Sequence, residues 1–414
     1  MVSSLSCTPF RLVDVPKPIM EKLVNRPCPV CDASERKVMH RQVFVEGPMG
    51  DGYEVVVCEN CGAAFSDKIP EQSAMDRYYA EQSKYAQNDS GGSETLWDTA
   101  RFNGIFQQLK PCLDSKGVRI LDIGCATGGL LSIFKANGYD NLLGLDPSAE
   151  CAVTAKALHG IDVRATPISK MADWDEQFDL ILMIGVLEHL REVKPAVRLA
   201  KSMLSSGGRL YCAVPDVEGL AECANAPYQQ FSVEHVNFFS AESLNRLMAD
   251  CEMGLVHSQR TVVEWREGVF EPVIGGLYAA FPGVRDYFAR DCVSQPALER
   301  YLRFSELGEK QIAARIEELC RSGEPIVVWG AGTLARRLLA NSRLGETNIV
   351  AFVDSNARLH GTRLAGHPII GPTELRGRTE TILICSGPFE REITEKIRNV
   401  LRLPNKLISF VLQE

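Results

Sequence analysis

Short apolar runs alternate with longer amphipathic stretches through the middle of the chain. The strand-like runs occupy residues 118–123, 142–146, 178–184 and 208–214. Strands separated by helices are typical of a doubly wound sheet, in which helices cover both faces of parallel strands. The pattern therefore predicts an α/β fold with a Rossmann-like core in this part of the chain.

The segments on either side of this core show other patterns. Residues 70–110 and residues 265–322 have helical periodicity, and the first of these is interrupted by the stretch NDSGGSE. A second α/β unit starts at EPIVVWGAGTLARRLLA and continues through NIVAFVDSN and TILICSG. We expect three domains, which are a Cys-rich unit at 1–86, a Rossmann-like domain at 87–262 and a second Rossmann-like domain at 263–414.

The length of 414 residues agrees with two or three domains. A net charge of −8 gives no electrostatic reason to expect nucleic acid or an anionic membrane as a partner. The N-terminus shows no secretory signal, and no apolar run approaches the length of a membrane span. We therefore expect a cytoplasmic protein with no nucleic-acid and no membrane partner, and leave open whether it is a monomer or a homo-oligomer.

Four of the fourteen cysteines form two Cys-x-x-Cys pairs, Cys28 with Cys31 and Cys58 with Cys61, on either side of a predicted β-hairpin. Two residues between cysteines let both sulfurs turn onto one ion, and four thiolates complete a tetrahedral zinc site with no open position. The pattern predicts structural Zn²⁺. Four free buried thiols are the alternative, and a redox pair is disfavoured because the pairs flank a hairpin instead of opening a helix.

The first Gly-rich turn, RILDIGCATGGLL, places Asp122 at the end of an apolar strand, followed by Gly124 and Gly128. The G-x-x-x-G spacing differs from the dinucleotide fingerprint G-x-G-x-x-G, which seats a pyrophosphate on a helix N-terminus. A pyrophosphate would meet the Asp122 carboxylate at this turn, whereas a cofactor with an ammonium group would be attracted.

A second acid, Asp146 in LLGLDPSAE, follows the next strand about twenty residues later, where a carboxylate accepts both ribose hydroxyls of a bound nucleoside. The two acids together favour S-adenosylmethionine over NAD. The predicted cofactor-binding residues of the two turns are Asp122, Gly124, Cys125, Gly128, Asp146 and Pro147.

The D-x-G-x-x-x-G turn, Asp146, the stretch FDLILMIGVLEHL and the stretch GGRLYCAVPD resemble, in this order, the core of class I methyltransferases. With the cysteine pairs before this core, a YY…Y segment, a Glu-His pair and a second α/β unit, the whole chain from about residue 25 resembles the three-domain sugar C-methyltransferases of deoxysugar biosynthesis. These enzymes methylate C3 of a nucleotide-linked 4-keto-6-deoxyhexose. The resemblance implies a nucleotide-sugar-binding role for the last domain.

The resemblance also implies a sugar site with His235 as the base. The catalytic candidates are Tyr79, His189, Glu234 and His235, and the substrate-binding candidates are Tyr78, Tyr85, Ser232 and Arg336. Glu234 and His235 are neighbours and would point to opposite faces of a strand, so they share a pocket only if their segment is a loop.

The chain departs from the family pattern at two places. The family's Tyr-x-Glu-His stretch reads Ser232-Val233-Glu234-His235 here, with Tyr228 as a candidate substitute for the missing tyrosine. The family's Gly-Ala-Pro-Ala-Lys-Gly turn in the last domain is replaced by GAGTLA followed by two arginines, of which Arg336 is the first. These departures put the substrate and the acceptor atom in question.

The sequence thus predicts a methyltransferase that uses S-adenosylmethionine and methylates a nucleotide-linked 4-keto deoxysugar, at C3, through an enolate formed by a histidine base. Methylation of a hydroxyl on a sugar or other small molecule is the first alternative, because a hydroxyl needs the same base but no enolate stabiliser. A non-catalytic protein that binds a nucleotide sugar or a partner is the second. An NAD-dependent dehydrogenase is disfavoured because no third glycine follows Gly330 and Gly332 at the fingerprint spacing.

Overall fold

The structure, a computed structural model, describes residues 23–48, 50–81, 91–171, 174–281 and 289–410. The strands within these ranges form three sheets, of four, seven and six strands. Buried apolar cores cover the three sheets, and one core joins Val56 and Phe65 of the first sheet to Leu121 and Ile123 of the second.

The first sheet is small and antiparallel. Its N-terminal elements, with the helix that follows them, are β1 (Arg36–Val43), β2 (Gly52–Cys58), β3 (Ala64–Asp67) and α1 (Gln72–Glu81). Strand β2 lies between β1 and β3 and is buried along nearly its whole length, as expected for a central strand rich in valine. The hairpin predicted between the two cysteine pairs is confirmed by the pairing of β1 with β2.

The second unit contains the seven-stranded sheet. Its helices are α2 (Leu96–Leu109), α3 (Gly129–Ala136), α4 (Ala149–His159), α5 (Val193–Ser202), α6 (Leu220–Cys223) and α7 (Ala241–Asp250). Its strands are β4 (Ile120–Ile123), β5 (Leu142–Asp146), β6 (Val163–Ala165), β7 (Phe178–Ile184), β8 (Leu204–Pro215), β9 (Asn237–Phe238), β10 (Met253–Arg266) and β11 (Val269–Ala280). The four strand-like runs expected from the sequence are confirmed as β4, β5, β7 and β8.

The strand order of this sheet is β6-β5-β4-β7-β8-β11-β10, in which β6 to β8 are parallel and β11 is antiparallel to both neighbours. The chain order reverses at β4, because β5 lies on one side of it and β7 on the other. Ligands of doubly wound sheets bind in the crevice beyond the carboxyl ends of the strands at such a reversal. The turn after β4 is therefore where a cofactor is expected.

Strand β9 does not join this sheet but pairs with β3 of the first one, through Ala64 with Phe238 and Phe65 with Asn237. The backbone N–H of Ser66 also donates to the carbonyl of Val236, at 2.9 Å. The cysteine-bearing sheet thus holds the chain directly after His235.

The helical prediction for residues 265–322 is wrong in its first part. Strand β11 occupies Val269–Ala280, and the helix α8 spans Ser294–Ser322. Because β11 lies between β8 and β10 and is largely buried, its residues do not alternate in polarity, and such an apolar run cannot be told from a buried helix by periodicity. Residue 262, the expected end of the second domain, falls inside β10, and the division into three domains stays a prediction.

The last unit is the second α/β layer, which the sequence predicted. Its elements after α8 are β12 (Ile326–Trp329), α9 (Thr333–Asn341), β13 (Ile349–Val353), β14 (Arg363–Leu364), β15 (His367–Ile370), β16 (Thr381–Ile384), α10 (Glu390–Glu395) and β17 (Leu407–Ser409). The strand order is β14-β15-β13-β12-β16-β17, and only β14 is antiparallel to its neighbour.

The last unit contacts both of the others. The backbone N–H of Val45, in the first unit, donates to the carbonyl of Arg336 at 3.1 Å. Arg358 forms an ion pair of 2.5 Å with Glu150, which lies just after the second acid-bearing strand. Among the described residues, no helix is both long and apolar enough to cross a membrane.

Candidate active site

The turn after β4 is shaped by glycines that cannot be replaced without strain. Gly124 has φ +78°, and a Cβ at this position would lie 2.5 Å from Cγ2 of Val186. Gly128, with φ +79°, precedes the first residue of α3. The close contact with Val186 brings the segment after β7, which carries His189, beside the predicted cofactor turn.

The two predicted acids lie at the carboxyl ends of neighbouring strands and are both buried. Asp146 accepts hydrogen bonds from the backbone N–H groups of Ala126, at 3.0 Å, and Ser148, at 2.9 Å, which fix its orientation. Burial, and then the charge of Asp146, raise the pKa of Asp122 to about 8. Burial also raises the pKa of Asp146, against the lowering effect of its two backbone donors. Two buried carboxyl groups at one turn favour a cationic ligand over a pyrophosphate.

The other two predicted cofactor residues flank these acids. Cys125 is buried, and its Sγ lies 2.5 Å from where a Cβ at Gly144 would be, so it packs against β5. Pro147 is half-buried and leads from Asp146 to Ser148, whose hydroxyl caps α4. Both residues contribute to the shape of the turns.

All four predicted catalytic residues lie together. The hydroxyl of Tyr79 is 3.1 Å from Nδ1 of His189, and the same nitrogen is 3.1 Å from the carbonyl oxygen of Glu234. The rings of His189 and His235 meet edge to face, with centroids 4.9 Å apart. Tyr78 donates to Oε1 of Glu234 at 3.1 Å. The cluster therefore gathers two imidazoles, a carboxylate and two phenols next to the Gly124 turn.

Ser232 shapes the loop that carries the Glu-His pair. Its hydroxyl oxygen accepts from the backbone N–H groups of Glu234, at 3.2 Å, and His235, at 3.1 Å, and its carbonyl accepts from the hydroxyl of Tyr53 at 2.7 Å. The segment is a bend and not a strand, so both neighbours can approach His189. Tyr228 does not take the place of the missing tyrosine, since it is buried and stacks on His40 at 4.6 Å.

A further acid of this cluster, Glu188, was not among the predicted site residues. It is 3% exposed, and burial raises its pKa to about 8. Its Oε1 is 4.0 Å from Nε2 of His189. One carboxylate oxygen of Glu188 and one ring nitrogen each of His189 and His235 all lie within 4.8 Å of one another. The signal available in the sequence is that both histidines of the cluster directly follow a glutamate.

Arg336 and Tyr85 are the remaining substrate-binding candidates. Arg336 donates to the carbonyls of Ala331, at 3.0 Å, and of Val45 and Glu46, so its guanidinium links the last unit to the first. Burial lowers the pKa of Arg336, against the opposing effects of Glu46, Tyr78 and Asp354. Tyr85 lies outside the residues that the structure describes.

The two cysteine pairs form matching turns. Cys28 donates its backbone N–H to Ala33 and accepts from Asp32, and Cys58 makes the same two bonds with Ala63 and Gly62, all at 2.8 to 2.9 Å. The residues after the second cysteines, Asp32 and Gly62, both have positive φ angles, of 62° and 82°. This repeated backbone geometry turns the sulfurs of each pair towards the other pair.

The four sulfurs fit a tetrahedral zinc ion. Sγ of Cys28 is 3.5 Å from that of Cys61, and Sγ of Cys31 is 3.5 Å from that of Cys58. Zinc–sulfur bonds of about 2.3 Å place the sulfurs of a tetrahedron about 3.8 Å apart. Hydrogen bonds between the thiols lower the pKa of Cys31 and, to about 6, that of Cys58, and they raise the pKa of Cys28 and of Cys61. A zinc ion binds thiolates, so its binding would displace the remaining thiol protons.

Comparison with known proteins agrees with a methyltransferase core in the second unit. Residues 77–257 match a protein family described as a methyltransferase domain, and residues 323–408 match a family described as C2185-like, N-terminal. A tRNA U34 carboxymethyltransferase from Campylobacter hominis is 28% identical over 152 residues, which are 36% of this chain and 53% of that protein. A ubiquinone biosynthesis O-methyltransferase from Rhizobium rhizogenes is 36% identical over 103 residues, 24% of this chain and 41% of that protein.

The chain thus spans about half the length of the curated relatives it matches. Among solved structures, magnesium protoporphyrin IX methyltransferase (ChlM) from Synechocystis, with bound S-adenosylmethionine, matches with 12% identity and a TM-score of 0.36, over 50% of this chain and 97% of that one. The predicted fold class, a Rossmann-like methyltransferase core followed by a second α/β layer, is confirmed. Residues 77–257 of the chain thus form a methyltransferase domain.

Proposed function

We propose that the protein transfers a methyl group from S-adenosylmethionine to a nucleotide-linked 4-keto deoxysugar, at C3, with His235 as the base. The observation that carries the proposal is the cluster of Tyr79, His189, Glu234 and His235 beside the Gly124 turn. A methyl donor at that turn and a carbon acid at the cluster would be neighbours. Such positioning supplies much of an enzyme's rate enhancement.

The cofactor would lie along the β4 and β5 turns, with the buried acids Asp122 and Asp146 facing its ammonium group and its ribose hydroxyls. When bound, it supplies an electrophilic methyl group on a sulfonium centre. The backbone bonds of Asp146 hold its carboxylate in place before the cofactor arrives. Burial of Asp122 means that its negative charge is best accommodated beside a cation.

At the substrate, an imidazole titrates near neutral pH and suits proton removal next to a ketone. In the proposed mechanism His235 takes the proton at C3, and the negative charge moves to the ketone oxygen. The hydroxyl of Tyr79 and the ring of His189 donate hydrogen bonds to that oxygen, and donors in this role usually contribute more than the base itself. Tyr78 keeps the Glu234 carboxylate on the same side.

The four cysteines would hold structural zinc, which stabilises the first sheet and through β3 and β9 the loop of His235. The last unit is proposed to bind the nucleotide of the substrate. Thiolate-bound zinc and free thiols agree with a reducing compartment, so we propose a cytoplasmic location. No nucleic-acid or membrane partner is proposed.

Methylation of a hydroxyl is the second candidate, and one observation favours it. The position of the family's active-site tyrosine is held by Ser232, whose hydroxyl accepts two backbone hydrogen bonds. A site with fewer donors for an enolate oxygen would still serve a hydroxyl acceptor, which needs only the base. Ubiquinone biosynthesis O-methyltransferases are among the relatives that match part of this chain.

The test is incubation of the full chain with methyl-labelled S-adenosylmethionine and a panel of nucleotide-linked 4-keto sugars and their 4-hydroxy analogues, followed by mass spectrometry. Carbon methylation of a 4-keto sugar supports the first candidate, and methylation of a hydroxyl supports the second. In deuterated water the protein should exchange the C3 proton of a 4-keto sugar but not that of its 4-hydroxy analogue. His235→Ala should abolish this exchange while cofactor binding remains. A chain that binds a nucleotide sugar and methylates nothing would be the non-catalytic protein.

A further inference from the structure

Glu188 is a buried carboxyl group at the centre of the site, with one oxygen left without a hydrogen-bond partner among the described residues. It is 3% exposed, and the atom concerned is Oε2. It belongs to a short turn of 3₁₀ helix, Leu187–His189, directly after the central strand β7. Buried polar atoms in proteins are almost always hydrogen-bonded, so an unpartnered one in a site calls for an explanation.

The neighbouring histidine has a defined arrangement of its ring nitrogens. Nδ1 of His189 lies 3.1 Å from the carbonyl oxygen of Glu234, which can only accept, so this nitrogen carries a hydrogen. The other nitrogen, Nε2, lies 4.0 Å from Oε1 of Glu188. Nε2 is therefore the nitrogen whose protonation changes the charge of the ring, and Glu188 is the carboxyl group that faces it.

We propose that Glu188 is a positioning residue that closes the 4.0 Å gap to Nε2 of His189 when the site is loaded, then shares one proton with this nitrogen, and thereby keeps His189 able to donate a hydrogen bond to the reacting oxygen of the substrate. This proposal rests on the proposed function. The pair is neutral whether the proton sits on the carboxyl group or on the imidazole. As the substrate oxygen gains negative charge, the proton moves from Glu188 to Nε2, so that the positive ring faces the new charge.

The surroundings favour a shared proton over a permanent charge. Besides His189 and His235, the titratable groups acting on Glu188 are Glu271, whose charge opposes ionisation of Glu188, and the buried thiol of Cys212. Nδ1 of His189 also faces the hydroxyl of Tyr79. In the described part of the chain no arginine or lysine is among these groups, so the imidazoles of His189 and His235 are the cationic groups within reach of Glu188.

The first test observes the pair without turnover. Histidine labelled with ¹⁵N in the ring, in the full zinc-loaded chain with S-adenosylhomocysteine, reports the protonation of each nitrogen, and the signal of His189 is the one lost in His189→Gln. Glu188→Gln keeps the side-chain volume but cannot ionise. In this variant the pH at which Nε2 of His189 is half protonated should fall by roughly one unit. Glu192→Gln, a neighbouring exposed acid, should leave it unchanged.

The second test measures turnover with the substrate found for the protein. Glu188→Gln should lower kcat roughly tenfold or more, leave KM for the methyl donor and the melting temperature unchanged, and flatten the pH dependence of kcat. A carboxyl group that only fills space would lower the melting temperature in Glu188→Ala and leave the pH profile of Glu188→Gln like that of the wild type.

An identical His189 titration in the wild type and Glu188→Gln overturns the proposal, whether or not a methyl acceptor has been found. A metal ion held by Glu188, His189 and His235 would also overturn it. In that case Mn²⁺ added in stoichiometric amount would selectively broaden the signals of His189 and His235. Absence of turnover with every substrate, together with the predicted shift of His189, would leave the pair intact and reject the proposed function instead.

Discussion

The hydroxyl of Tyr79 lies 3.1 Å from Nδ1 of His189, although 110 residues separate the two along the chain. Tyr79 lies on α1, after the cysteine-bearing sheet, and His189 follows β7 of the seven-stranded sheet. Their contact joins the first unit to the carboxyl edge of the second. The proposed chemistry requires this junction, because the methyl-donor turn and the histidines belong to the second unit, whereas Tyr79 belongs to the first.

Removing the Tyr79 hydroxyl should impair catalysis and not cofactor binding. We expect Tyr79→Phe to lower kcat roughly 100-fold, the range measured when one donor to a developing oxyanion is lost, with the Kd of S-adenosylhomocysteine unchanged. Tyr78→Phe is the matched variant, because that hydroxyl contacts Glu234 instead of His189. It should have a smaller effect. Equal kcat in Tyr79→Phe and the wild type would remove Tyr79 from the mechanism.

Cofactor affinity should increase with pH through the ionisation of Asp122. The pKa of this group is raised to about 8 by burial and by Asp146. Below that pH it holds a proton, which a ligand with an ammonium group must displace to gain an ion pair. The Kd of S-adenosylhomocysteine should therefore fall as pH rises from about 6 towards about 8, by up to roughly tenfold per unit. Calorimetry checks this, and Asp122→Asn should bind more weakly with no such slope; a slope retained in Asp122→Asn would contradict the assignment.

Zinc removal should unfold the first sheet and disturb the loop of His235. We expect one zinc ion per chain by elemental analysis, and a lower melting temperature and lost turnover after chelation, because β3 holds β9 next to His235. Cys28→Ser should reproduce this result. Cys292→Ser, at an exposed cysteine, is the control and should retain zinc and activity. Full activity in a chain shown to lack zinc would refute the link.

The hydroxyl of Ser232 should matter because it caps the loop. Ser232→Ala removes the acceptor of two partly buried backbone N–H groups, which costs less than the about 1–3 kcal/mol lost when such groups are fully buried. A lower melting temperature and a lower kcat are expected, and Ser232→Thr, which retains a hydroxyl, should restore most of both. If alanine and threonine behave alike, the hydroxyl has no role in the loop.

The sequence allowed prediction of those parts of the site that depend on short-range pattern. The cysteine pairs and the Gly124 turn each lie within a few residues, and their backbone geometry follows from local spacing. The strands β4, β5, β7 and β8 could also be predicted, because apolar runs that alternate with helical stretches are compatible with few architectures other than a doubly wound sheet.

The parts that could not be predicted depend on contacts between distant segments. Glu188 is unusual only because it is buried beside His189, and burial of a single glutamate leaves no sequence pattern. Strand β11 cannot be told from a helix by its sequence pattern because it is covered on both faces. The hydrogen bonds of Ser232 within its own loop could not be predicted either, because that loop is held by the pairing of β9 with β3; its role in substrate binding stays a prediction.

The proposed function depends on the first Gly-rich turn binding S-adenosylmethionine. Isothermal calorimetry with S-adenosylhomocysteine and with NAD, on the wild type and on Asp146→Ala, tests this most directly. The predicted result is one S-adenosylhomocysteine bound per chain, with affinity reduced roughly 10- to 100-fold in Asp146→Ala, and no heat with NAD. Binding of NAD by a chain that does not bind S-adenosylhomocysteine would contradict the account.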